Sequence, residues 1–209
     1  MLLGLVGSEM CIRDSPKEVK MAPDNLSPKL QERYINLPIS ASTLSRMVSQ
    51  KQINGDNIKS YEEVMEESYR MYINNHKKVW AKFFEILLRS NNRPIIFHCS
   101  AGKDRTGIAS FMIQSIFNNH IDKIFENYLI SNDLLTIKAA TAEQKTNSSK
   151  QDTQVTKNML STLGKVQTSY LNAAIDEIEK KYSSLENYFI SQLGLKHNDI
   201  QKIKQIFGN

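Results

Sequence analysis

Apolar positions recur along this chain with a helical period over most of its length and with strand-like patterns at only two places. Ser60 and Glu63 form the Ser-x-x-Glu capping box that opens helices, and Met65, Tyr69, Tyr72 and Ile73 follow at helical spacing. A second stripe, Val79, Trp80, Phe83, Phe84 and Leu87, carries helix to about Arg89, where Asn91-Asn92 breaks it. Both stripes predict core packing and call for no ligand. Further helices are expected from Thr106 on Ile108, Phe111, Met112 and Phe117, over Ile121–Ser131, through Tyr170, Ala174, Ile178 and Tyr182, and last on Ile200, Ile203 and Phe207.

The two strand signals are Arg33–Ile39, with Pro38 setting its end at a sheet margin, and Pro94-Ile95-Ile96-Phe97. The second is an unbroken apolar run behind a turn signal, the pattern of a buried central strand. Residues 16–30 show no period and read as loop, and residues 136–158, rich in Thr, Lys, Gln, Ser and Asn, read as a polar insertion or lid. No internal repeat is present.

Composition changes this picture little. The 209 residues, 40% hydrophobic with a mean hydropathy of −0.43, suit one globular domain. No apolar run approaches the roughly 20 residues of a membrane-spanning helix. The net charge of +5 fits an anionic substrate or an ordinary solvated surface, and no nucleic-acid partner is called for.

The first residues stand apart. Leu5-Val6-Gly7-Ser8-Glu9-Met10-Cys11-Ile12-Arg13-Asp14 resembles the translation of a sequencing-library adapter, so residues 1–15 are expected to be foreign to the native chain and to its fold. Residues 16–209 are then the functional domain. Without the first fifteen residues only Cys99 remains as a thiol, and no disulfide framework is possible.

That cysteine lies in the run His98-Cys99-Ser100-Ala101-Gly102-Lys103-Asp104-Arg105-Thr106-Gly107, between the second strand signal and a helix. A loop at such a junction can turn successive backbone N–H groups toward one anion. Gly102 and Gly107 are expected to supply its unusual backbone angles. Arg105 brings a planar fork that can hold two phosphoryl oxygens, and its charge with the helix terminus favours a Cys99 thiolate. That thiolate can attack phosphorus, and Thr106 can hydrogen-bond the sulfur. His98 is expected to orient the loop through its ring nitrogens. Asp104 is the first candidate for the acid that protonates the leaving oxygen, against the plainer reading that it braces the loop; Asp56 is a weaker alternative. No metal or cofactor is required. The placement predicts a three-layer α/β domain, with a mainly parallel sheet, Ile95–Phe97 at its centre, and helices on both faces.

A nucleotide-binding P-loop is excluded, since Phe97 stands where its first glycine belongs and Asp104 replaces the magnesium-binding hydroxyl. A redox or sulfur-transfer role is weakened by the lack of a second native cysteine. A catalytically idle phosphate-binding module is the alternative from another class, but such a module is not expected to keep Cys99, Asp104, Arg105 and Thr106.

The loop resembles that of the bacterial tyrosine/lipid phosphatase family. So do Tyr34-x-x-Leu37-Pro38-Ile39, Tyr128-Leu129-Ile130-Ser131-Asn132 and Leu185-x-x-Tyr188 with Leu193-Gly194-Leu195. The resemblance implies a tyrosine-phosphatase-like fold and activity on phosphotyrosine, often phosphoserine or phosphothreonine, and phosphoinositides. It implies catalysis by Cys99 and Arg105 with Asp104 as acid, substrate contacts from Ser100, Ala101, Gly102, Thr106 and His98, and lipid activity associated with Lys103. Two departures stand out. Ser15-Pro16-Lys17-Glu18 keeps only the tail of a segment that relatives carry, which implies loss of a strand or two. Ser100 also stands where eukaryotic phosphoinositide phosphatases have a lysine. Substrate, compartment and oligomeric state are not set by these residues.

Overall fold

A computed structural model describes residues 8–11, 19–20, 23–40, 58–90, 93–143 and 164–208. Three strands, β1 (Ser8–Cys11), β2 (Tyr34–Asn36) and β3 (Ile95–His98), form a parallel sheet in the order β2-β1-β3. Tyr34 stands beside Glu9, and Glu9 beside Ile96. The backbone of β1, in the segment expected to stand outside the fold, therefore lies between the other two strands. Ile95–Phe97 was expected at the centre and sits at an edge of the described sheet. It is not buried on both faces either: Ile95 and Phe97 pack against the core, whereas Ile96 is 44% exposed. An unbroken apolar run does not report which of its faces is covered.

Helices make up most of the rest. They are α1 (Pro28–Gln31), α2 (Ile58–Asn75), α3 (Lys77–Arg89), α4 (Asp104–Ile116), α5 (Ile121–Glu143), α6 (Thr168–Tyr182), α7 (Leu185–Leu193) and α8 (His197–Phe207). Pro28 opens α1, where its fixed φ and missing N–H cost nothing. Thus the expected loop over 16–30 ends in a helical turn. The first strand signal shrinks to Tyr34–Asn36, and Leu37 and Ile39 continue as buried irregular chain.

The apolar stripes do become core. Met65, Tyr69, Tyr72 and Ile73 of α2 and Trp80, Phe83, Phe84 and Leu87 of α3 are buried. Helix α2 begins at Ile58, so the Ser60 capping box falls inside its first turn instead of opening it. Trp80 Nε1 donates to the Tyr72 carbonyl at 2.9 Å and locks the α2–α3 corner. Helices α2 and α6 run alongside in the same direction. Gln167 donates to Glu62 at 2.9 Å near their starts, and Asn74 donates to Glu177 at 2.7 Å near their ends.

Helix α5 runs past the expected end at Ser131 to Glu143 and takes in the start of the polar stretch; residues 144–158 of that stretch lie outside the described residues. Helix α7 was not among the expected elements. Ser184 caps it by accepting the Asn187 N–H at 3.1 Å, and Gly194, at φ +72°, ends it. It buries Tyr188, Phe189 and Leu193, with the Phe189 ring 5.1 Å from that of Phe84.

Candidate active site

Strand β3 delivers the chain to Cys99, and α4 begins at Asp104, so the intervening loop sits at the positive end of a helix. Gly102 turns the loop at φ +71°, the left-handed region where a side chain is strained. Gly107 does not share that role. It is helical, and a Cβ there would meet the Tyr128 ring at 2.8 Å, so close helix packing is what requires glycine.

The Cys99 side chain is buried at 5% exposure, and Thr106 Oγ1 donates to its Sγ at 3.2 Å. His98 donates from Nδ1 to the Cys99 carbonyl at 3.3 Å, while its Nε2 lies 3.8 Å from Asp24. Ser100, Ala101 and Gly102 form the exposed rim of the loop.

Two cations of the loop are turned inward. Arg105 is 6% exposed and donates from Nη1 to the Ile39 carbonyl at 3.0 Å. The buried chain after β2 thereby meets the loop, a contact that no local signal announces. Lys103, 5% exposed, places Nζ 3.2 Å from Asp104 Oδ2 and 3.4 Å from the Lys165 carbonyl. Asn132 holds the neighbouring backbone: its Oδ1 accepts the Val166 N–H at 2.8 Å and its Nδ2 donates to the Val166 carbonyl at 2.9 Å.

Asp104 has a second polar neighbour. Tyr69 donates to its Oδ1 at 2.9 Å, and the Tyr69 and Tyr128 hydroxyls lie 2.6 Å apart. Burial, and then the charge of Asp104, push the Tyr69 phenol well above its usual range, so it remains a neutral hydroxyl. Burial and then the charge of Arg105 lower His76, which precedes α3.

The structure thus gathers His98, Cys99, Lys103, Asp104, Arg105 and Thr106 around one loop. Asp56 lies outside the described residues. Tyr69 was expected only to pack, and its role was legible in one respect: a tyrosine in an otherwise apolar stripe brings a hydroxyl that must find a partner. Among the described residues no group of three His, Cys, Asp or Glu side chains could hold a metal ion, and no helix is long and apolar enough to cross a membrane.

Comparison with known proteins places the sequence among phosphatases. A triple specificity protein phosphatase of Mycobacterium tuberculosis is 26% identical over 180 residues, covering 79% of this chain and 64% of the relative. A tyrosine-protein phosphatase of Nostoc commune is 22% identical over 192 residues, 91% of this chain and 63% of the relative. An inositol diphosphatase of Saccharomyces cerevisiae is 34% identical over 71 residues, 34% of this chain and 25% of the relative. The chain spans between 55% and 64% of the length of the bacterial relatives it matches. The sequence profile of the tyrosine phosphatase family matches residues 13–208. On that match, which takes in the whole Cys99 loop and the helices that hold it, the chain belongs to the tyrosine phosphatase family.

Proposed function

We propose that this chain hydrolyses phosphate monoesters through a phosphocysteine at Cys99. The observation that carries the reading is the buried Cys99 sulfur, hydrogen-bonded by Thr106 at 3.2 Å at the start of a loop that ends on a helix N-terminus. In the first step the Cys99 thiolate attacks phosphorus and the bond to the ester oxygen breaks. Asp104 gives its proton to that oxygen, and Arg105 with the loop N–H groups balances the phosphoryl charge. In the second step water attacks phosphorus and loses its proton to Asp104. The phosphorus–sulfur bond breaks, Thr106 stabilises the departing thiolate, and inorganic phosphate leaves.

Phosphotyrosine proteins are the substrates this reading favours, with phosphoserine, phosphothreonine and phosphoinositides in its range. The names of the Mycobacterium and Saccharomyces relatives support that breadth. The reading treats residues 16–209 as one phosphatase domain of three layers and residues 1–15 as foreign to the native chain, although Ser8–Cys11 pairs with both neighbouring strands and the family match, which begins at residue 13, takes in the end of that segment. Turnover of 4-nitrophenyl phosphate, inhibition by vanadate, and a phosphate adduct on Cys99 seen by mass spectrometry after acid quench are the tests. Turnover without a trapped adduct, persisting in Cys99→Ser, would remove the covalent route.

A further inference from the structure

Tyr69 lies at the centre of the helical core, wholly buried, with the rings of Tyr72, Tyr128 and Tyr170 centred 5.8, 6.5 and 5.9 Å away. Packing alone asks only for an aromatic ring there. A phenylalanine would fill the same stripe without bringing a hydroxyl that must be desolvated and paired. The hydroxyl is instead spent on the loop. It donates to Asp104 Oδ1 at 2.9 Å and meets the Tyr128 hydroxyl at 2.6 Å. With Tyr69 donating to the carboxylate, the remaining proton is that of Tyr128, which donates to Tyr69. The chain of donors therefore runs from α5 through α2 to the first residue of α4. Lys103 Nζ stands 3.2 Å from Oδ2 and 3.3 Å from Oδ1, so the ammonium and the Tyr69 phenol together fix the carboxyl group.

We propose that Tyr69, steadied by Tyr128, is the positioning residue that aims the Asp104 carboxyl at the leaving oxygen, and so sets how well the enzyme handles poor leaving groups. The inference rests on the phosphatase reading above. An aryl ester with an electron-poor ring expels its oxygen with little help. A phenyl or alkyl ester, the latter including phosphoserine and inositol phosphates, needs the proton in the transition state. A misaimed acid therefore costs the second class far more than the first. Tyr69 does not touch the reacting atoms in this account; it acts through Asp104.

The experiment compares kcat/KM, which reports the step that expels the leaving group, for 2,4-dinitrophenyl, 4-nitrophenyl and phenyl phosphate and a phosphoserine peptide in the parent chain, Tyr69→Phe, Asp104→Asn and the double variant. Tyr69→Phe is expected to lose about ten-fold on phenyl phosphate, a fraction of the roughly 10²–10⁴ that general acid catalysis supplies, with a much smaller loss on the dinitrophenyl ester. It should add little further loss in the Asp104→Asn background. Because Tyr69→Phe orphans the Tyr128 hydroxyl, Tyr69→Phe with Tyr128→Phe provides the packing control: stability should recover and the steeper leaving-group dependence should remain. Equal losses across all esters, or full additivity with Asp104→Asn, overturns the inference and leaves Tyr69 a packing residue. A folded parent chain without activity overturns the phosphatase reading and this inference with it. An active parent whose leaving-group dependence is unchanged in Tyr69→Phe overturns the inference alone.

Discussion

The helical body on one side of the Cys99 loop and the sheet on the other are built very differently. In the body, Tyr69, Trp80, Phe83, Phe84, Ile108 and Tyr170 are wholly buried, and aromatic rings from α2, α3, α6 and α7 interlock. The sheet has strands of three or four residues, and one face of β3 leaves Ile96 open to solvent at 44%. The loop draws on the two unequally. Asp104 is held by Tyr69 of α2, Lys103 by a carbonyl ahead of α6, and Gly107 by the Tyr128 ring of α5. From the strand side, β3 positions Cys99 and the Ile39 carbonyl anchors Arg105. The Cys99 loop is therefore kept in shape chiefly by what packs behind its helix, with the sheet serving to deliver Cys99.

The residues shared by both bodies should show the largest effects. Cys99→Ser is expected to bring turnover of an aryl phosphate below detection while keeping most binding of a phosphate analogue. Arg105→Ala should lose both, and Arg105→Lys should recover little, because a point charge replaces neither the fork nor the bond to Ile39. Retained catalysis in Cys99→Ser would remove the proposed role of Cys99 as nucleophile.

The comparison itself is tested by paired substitutions in the two bodies. Phe84→Ala should cost about 3–5 kcal/mol of stability, through lost transfer and a cavity between α3 and α7. By contrast Ile96→Thr, on the open face of β3, should change it by less than about 0.5 kcal/mol. Chemical denaturation of both variants measures the contrast, and similar losses would erase it.

The weakest part of the sheet should be the easiest to improve. Ser8-Glu9-Met10-Cys11 contains no β-branched or aromatic residue, yet its backbone pairs with both neighbours. Replacing residues 1–15 with a relative's N-terminal segment is expected to raise the melting temperature by several degrees, an effect of about 1 kcal/mol in a domain of this size. Removing residues 1–15 without a graft should lower it by uncovering β2 and β3. No gain on grafting would mark the present segment as native structure.

Two smaller effects concern charge. Lys103→Ala should reduce phosphoinositide turnover more than phosphotyrosine turnover, since an added cation counts for more where the substrate carries several phosphates. Equal losses would mean that Lys103 only ties Asp104 to the Lys165 carbonyl. His76 gives the mildest signal. Burial and the nearby Arg105 lower its pKa in the folded chain, so below its unfolded value of about 6.5 the unfolded chain holds more protons at this site. Stability should therefore fall as pH drops through that window, down to the lowered folded value. His76→Gln should flatten this dependence in denaturation curves taken across it.

Much of this protein was legible before its structure. The Cys99 loop is written in ten consecutive residues, and its strand–loop–helix setting follows from the patterns immediately on either side. The stripes of α2, α3, α4 and α6 were legible because a helix brings residues three and four apart onto one face, whatever lies across from them. Helix α7 is not legible in the same way because its periodic stretch is only nine residues long, and because Ser184 and Gly194 define it more than hydrophobicity does.

What the tertiary structure alone decided depends on residues far apart in the chain. Strand order is one case: nothing within Ile95–Phe97 says that β1 lies beside it, or that Ile96 faces water. The partner of the Tyr69 hydroxyl is another, since Asp104 and Tyr128 are 35 and 59 positions away. So is the carbonyl that anchors Arg105, 66 positions back at Ile39. Local spacing determines which residues share a helix face or a loop, because covalent geometry fixes those distances. Which buried polar group meets which is determined only when the helices pack, because that choice minimises unpaired groups over the whole core at once.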